Sequence, residues 1–177
     1  MDALLPGMAA LKNNIHPLLI HFPIAFFVGA LVMEGLAVFR DEKFHFAATC
    51  MLYLGTFAAL FTLPTGFIAA DIIAATDPRG HSAPGHNFIH IHRNWMVTAT
   101  FIAVALSGYL FWVNHKSRWS SHRWGLLAGL IVLSTVVGLG ADRGGRLVFE
   151  FGVGIDPAVI KETAHTEIGG EDHHHDD

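Results

Sequence analysis

Histidine is the residue type here that can do chemistry. The chain carries 13 of them, and neutral imidazole is a good ligand for iron, copper, zinc and nickel. One group, His16 and His21, lies in the run Asn13-Asn14-Ile15-His16-Pro17-Leu18-Leu19-Ile20-His21-Phe22-Pro23. A second group is His81, His86, His90 and His92, and it leads into Arg93-Asn94-Trp95. Imidazoles from two different helices can hold a haem iron from both faces, an arrangement suited to electron transfer. The propionates would then want guanidinium partners, and Arg93, Arg143 and Arg146 fall near the same region of the chain. The expectation is therefore a b-type haem with His21 and His92 as axial ligands and His16 as the alternate. A copper or zinc site built from His16, His21 and His92, with Asp71 as an oxygen ligand, uses the same residues at closer range. A third reading has no cofactor: the imidazoles hydrogen-bond backbone and water, and the chain is a structural subunit of a respiratory or photosynthetic membrane complex.

Spacing limits how these residues can cooperate. His16 and His21 lie about 140° apart around an ideal helix, so they do not share a face. His16 must reach a common ligand from the chain that leads into the helix. Of the remaining histidines, His81, His86 and His90 read as solvated, with His86 and His90 facing one another if their segment is helical. His173 to His175 sit in an acidic tail and read as solvent groups or loose metal contacts.

Other chemistries find no footing. A single cysteine, Cys50, excludes an intrachain disulfide, a C-x-x-C-H haem attachment and a thiolate cluster held by this chain alone. There is no G-x-S-x-G, no P-loop, no H-E-x-x-H and no Rossmann glycine pattern. Nothing in the motifs points to catalysis by the chain on its own, and no basic stripe points to nucleic acid. Gly144-Gly145 and Gly152-x-Gly154 read as turns.

The elements that position the histidines follow from composition. Of the 177 residues, 52% are hydrophobic and 15% charged, against about 25% charged in a typical soluble domain; the mean hydropathy is +0.43. Apart from Glu34 and Asp71, charge is absent from stretches near 17–39, 46–74, 94–114 and 124–140, and about 20 apolar residues suffice to cross a bilayer as a helix. The expected fold is all-α: an integral membrane four-helix bundle over residues 1–156, opened by a short irregular segment. A polar, acidic tail follows at 157–177 and is the main source of the chain's net charge of −4. Pro64 and Gly66 inside the second span predict a kink or a surface extension. Trp95, Trp112, Trp119 and Trp124 suit the membrane interfaces. Gly125 and Gly129 form a G-x-x-x-G that reads as packing within the bundle. Glu34, near the far end of the first span, either reaches the interface and a basic loop residue or serves as a proton site. The first span reads as its own uncleaved insertion signal.

Four spans put both termini and the 75–93 loop on one side. The two short loops on the other side hold Arg40, Lys43, Lys116, Arg118 and Arg123. The positive-inside rule then predicts cytoplasmic short loops, periplasmic termini and a bacterial inner-membrane location. The histidines gather on the periplasmic side, where a partner membrane subunit or a periplasmic electron carrier can reach them.

The motifs themselves resemble a known family. Ile15-His16-Pro17-Leu18-Leu19-Ile20-His21-Phe22-Pro23-Ile24-Ala25 looks like the opening of the bacterial membrane family called domain of unknown function 2231. Leu63-Pro64-Thr65-Gly66 with Asp71, His92-Arg93-Asn94-Trp95, and Gly144-Gly145-Arg146-Leu147-Val148-Phe149-Glu150 with Gly152-Val153-Gly154 fit the same pattern. The similarity spans about residues 13–156. Phe151 stands where relatives often carry histidine or tyrosine. The resemblance implies a four-helix membrane domain. Similar domains occur fused to Rieske-type or cytochrome-type modules, an association that suggests electron transfer with a separate partner protein.

Overall fold

The computed structural model describes residues 14–76 and 85–153. A one-turn helix, α1 (His16–Leu19), leads directly into α2 (His21–Phe39). Then come α3 (Phe44–Thr76), α4 (His86–His115) and α5 (Trp119–Phe149). Each long helix packs against its sequence neighbour, and α5 closes the ring on α2. The result is an up-down-up-down four-helix bundle. All four long helices are long and apolar enough to cross a membrane, α1 and α2 acting as one span. The residues expected to form a four-helix transmembrane bundle do so, with no strand among those described.

The bundle is apolar on both its inner and outer surfaces. On α2 the buried residues Phe27, Ala30, Glu34 and Ala37 fall at intervals of three and four, a stripe that faces the helix neighbours. Small residues dominate the seams: Ala30 and Ala103 are completely buried, with Ala48 and Ala99 close to it. Small side chains let helices approach within van der Waals range, the main source of cohesion where lipid is as apolar as the core. The outward faces carry Phe46, Phe57, Phe101, Phe111 and Phe149, each more than 60% exposed. An outer surface of exposed phenylalanines is suited to acyl chains, and the chain is a multi-pass membrane protein in contact with lipid.

The prolines near the start have a structural account. Pro17 occupies the first turn of α1, where no N–H is needed. Pro23 lies in the first turn of α2 and cannot donate to the Leu19 carbonyl. That carbonyl lies 3.4 Å from the Thr62 hydroxyl of α3, whose single proton also faces the nearer Ala58 carbonyl at 2.8 Å. Pro64 lies inside α3, and the helix continues through it to Thr76.

Two helices extend beyond the apolar runs that announce them. Helix α4 begins at His86, before the apolar run starting at Asn94. Helix α5 runs on to Phe149, so Gly144 and Gly145 are helical and not the turn expected of them. The chain turns instead at Gly152, with φ 63°. Its N–H bonds the Val148 carbonyl at 3.1 Å, a left-handed cap that glycine adopts without a Cβ penalty. Just before that turn Phe151 packs on Phe88, with ring centroids 4.8 Å apart.

Candidate functional site

His16 stands at the first turn of α1, its backbone N–H donating to the Asn14 side chain at 3.1 Å. Its Nδ1 lies 3.0 Å from Thr65 Oγ1 on α3. The Thr65 hydroxyl spends its only proton on the Thr62 carbonyl, 2.6 Å away. Thr65 Oγ1 therefore accepts, and His16 Nδ1 is the donor. A neutral His16 ring then carries its lone pair on Nε2. The ring lies on bare backbone: a Cβ added to Gly66 would come within 2.9 Å of His16 Cε1.

His92 on α4 repeats the arrangement against α5. Its Nδ1 is 2.8 Å from the Gly140 carbonyl. A carbonyl only accepts, so Nδ1 carries the proton and Nε2 the lone pair. Gly144, one turn further along α5, lies under the ring, and a Cβ there would sit 3.0 Å from His92 Cε1. His16 and His92 are close enough for their charged forms to repel one another. The two rings thus stand at the same end of the bundle, supplied by elements far apart in sequence. Each has its tautomer set by a neighbouring acceptor, the support that metal-ligating histidines commonly have.

The other expected residues are placed differently. His21 is on the exposed outer surface, its Nδ1 3.4 Å from the Leu18 carbonyl of its own chain segment. Asp71 is also exposed. Arg93 lies over the Phe67 ring at 5.5 Å. Arg143 donates to the Leu139 carbonyl at 2.6 Å and covers Trp95 at 4.7 Å. Arg146 bonds both oxygens of Glu150, at 2.8 and 2.9 Å, and covers Phe88 at 4.8 Å. That guanidinium, chiefly through its hydrogen bonds, holds the exposed Glu150 carboxyl below its ordinary value. The arginines thus bind α5 to itself and to α4. His86 and His90 do face each other, their Nε2 atoms 3.1 Å apart on the first turns of α4. His81 and His173 to His175 lie outside the described residues. Among the described residues, no group of three or more His, Cys, Asp and Glu side chains is arranged to hold a metal ion.

A family model described as Predicted membrane protein (DUF2231) matches residues 12–157. The chain belongs to this family. Comparison with curated proteins and with solved structures gives no match. In this DUF2231 domain, the residues that carry the resemblance have physical tasks. His16 and His92 are the imidazoles at the shared end, Thr65 orients His16, and Gly66 and Gly144 provide the flat seats. Thr65, Gly66, Gly140 and Gly144 were the supports that spacing alone did not assign. The adjacency of Thr65 and Gly66 to Pro64 was the available signal. Glu34, left between two readings, bonds neither short-loop arginine nor lysine but His45 and Trp119.

Proposed function

We propose that this protein is a membrane electron-transfer subunit that holds a b-type haem through His16 and His92. One observation carries the reading: two imidazoles on different helices stand at the same bundle end, each with Nδ1–H engaged and its lone pair on Nε2. That donor set fits a bis-imidazole iron, which needs two protein ligands and no third. It favours His16 over the lipid-facing His21 as the partner of His92. Arg143 and Arg146 are engaged by Leu139 and Glu150, so the propionate role falls to Arg93 in this reading. When bound, the haem would supply one-electron chemistry. The chain's own residues orient the imidazoles: Thr65 and the Gly140 carbonyl fix both rings, and Gly66 and Gly144 leave room for them. A copper or zinc site is less well supported, because the exposed Asp71 does not join the pair.

We place the histidine end on the periplasmic side of the bacterial inner membrane. The short loops with Arg40, Lys43, Lys116, Arg118 and Arg123 support this placement. A periplasmic carrier or a partner membrane subunit would then exchange electrons with the site.

A second reading is favoured by the same contacts. Both histidines tie one helix to another and sit tightly on glycine, as a cofactor-free structural subunit would require. A pyridine haemochrome assay with elemental analysis on the purified protein separates the readings. Haem near one per chain in the wild type, lost in His16→Ala and His92→Ala, is the expected result. Absence of haem, with both variants only assembling poorly, sinks the electron-transfer reading and supports the structural one. Stoichiometric copper or zinc without haem supports the metal reading.

A further inference from the structure

The opposite end of the bundle holds a second polar assembly, independent of the haem reading. Glu34 on α2 is 1% exposed. Its Oε1 accepts from the Trp119 indole N–H of α5 at 2.7 Å. Its Oε2 lies 2.7 Å from His45 Nδ1 on α3. His45 Nε2 in turn lies 2.9 Å from Asn114 Oδ1 on α4. The Asn114 amide is oriented by its Nδ2, which donates to Thr49 Oγ1 at 3.4 Å. Every membrane span therefore contributes a group.

Hydrogen-bond valence fixes how many protons this assembly holds. Asn114 Oδ1 has no proton to give, so His45 Nε2 must carry one. Glu34 Oε1 is already an acceptor, so any carboxyl proton belongs on Oε2. A bare Nδ1 lone pair facing a carboxylate oxygen at 2.7 Å would be repulsive, so a proton lies on that line too. It can sit on Nδ1, giving an imidazolium–carboxylate pair, or on Oε2, giving a neutral acid and a neutral ring. Both forms have the same proton count and no net charge. Losing one proton would leave the negative charge of the Glu34 carboxylate uncompensated and cut off from water, which is costly in an apolar bundle.

Access is one-sided. Glu34 is enclosed by the bundle, with Ala30 and Val113 among the fully buried residues of the same core. His45 is 13% exposed at its side chain, and Asn114 is exposed at the end of α4. The imidazole is thus a bridge from solvent, through Nε2 and then Nδ1, to the carboxylate. The groups facing His45 are acidic Glu34 from α2 and acidic Glu42 from the linker. Asn114 from α4 and Trp119 from α5 are neutral, and the His45 and Trp119 rings are 5.1 Å apart. A structural tie between helices would not need a carboxylate connected to water through an imidazole; two amides would serve.

We propose that Glu34, His45 and Asn114 form a proton-binding site, open to the aqueous phase on the side of the short loops, that loads and releases one proton. On release the proton passes to solvent water, the pair goes from no net charge to one negative charge, and no electron moves. Asn114 is a positioning residue, and Trp119 holds the second carboxylate oxygen and reports on it.

The test uses the purified full chain in nanodiscs. Nitrogen-15 NMR of labelled histidine, with His45 assigned from the spectrum of His45→Gln, should show one proton on the Nδ1–Oε2 line at neutral pH. Either both ring nitrogens are protonated, or Nε2 alone is and the infrared band of Glu34 is that of a carboxylic acid. Between about pH 5 and pH 11 the Trp119 emission, taken as wild type minus Trp119→Phe, should follow a single one-proton titration. Glu34→Gln and His45→Gln should abolish it. If the glutamine variants fail to fold, the wild-type spectra alone decide. An ionised Glu34 beside a singly protonated His45 at neutral pH overturns the proposal, and so does the absence of any titration over that range.

Discussion

At the scale of the residue, the two histidine contacts are close-packed as well as hydrogen-bonded, and this makes glycine necessary beside them. In Gly66→Ala the new methyl would meet His16 Cε1 at 2.9 Å, a contact against a ring held by Thr65 and not against a flexible chain end. The expected cost is about 1–3 kcal/mol of stability, typical of overpacking. Equilibrium unfolding in detergent, followed by circular dichroism, checks it; an unchanged midpoint would mean the ring is not seated there. Thr65→Val removes the acceptor that sets the His16 tautomer, with an expected loss of about 1 kcal/mol and a shift of the His16 ring-nitrogen signals. The histidines themselves were legible in the sequence, because imidazole near a membrane span is rare and chemically specific. Their partners were not. Thr65 is 49 positions from His16 and Gly140 is 48 from His92, and such contacts exist only once the helices have packed. His45, next to the linker, has no signal in the sequence for a similar reason: its partners come from α2 and α4.

At the scale of the element, hydropathy located the helices and misplaced their ends. The apolar window stops at Gly140 because Asp142 and Arg143 follow, yet nothing there breaks a helix. The Gly144-Gly145 pair reads as a turn by residue type, but packing under His92 keeps it helical. What ends α5 is the left-handed Gly152. Replacing it in Gly152→Ala places a Cβ at φ 63°, and the expected destabilisation is about 1 kcal/mol, the usual penalty of the left-handed region for other residues. Thermal unfolding with an unchanged far-ultraviolet spectrum is the confirming result. A variant at least as stable as the wild type would show that this cap contributes nothing.

At the scale of the whole molecule, the sequence was most informative. Four long apolar stretches with almost no charge permit little besides an antiparallel bundle, and the family matched over residues 12–157 is likewise one of predicted membrane proteins. The bundle separates two polar ends, His16 with His92 at one and Glu34 with His45 at the other, across an alanine-rich core. Orientation is testable in cells. In a Cys50→Ala background, Asn87→Cys should react with a membrane-impermeant maleimide in intact cells, and Glu42→Cys only after permeabilisation. The opposite pattern would invert the placement of the histidine end.

The most direct measurement for the central claim is the dithionite-reduced minus oxidised absorption spectrum of the purified protein. The wild type and His21→Ala should show the α-band of a low-spin b-type haem, and His92→Ala should lose it. A featureless wild-type spectrum, or a band that disappears with His21 and survives without His92, would contradict that claim.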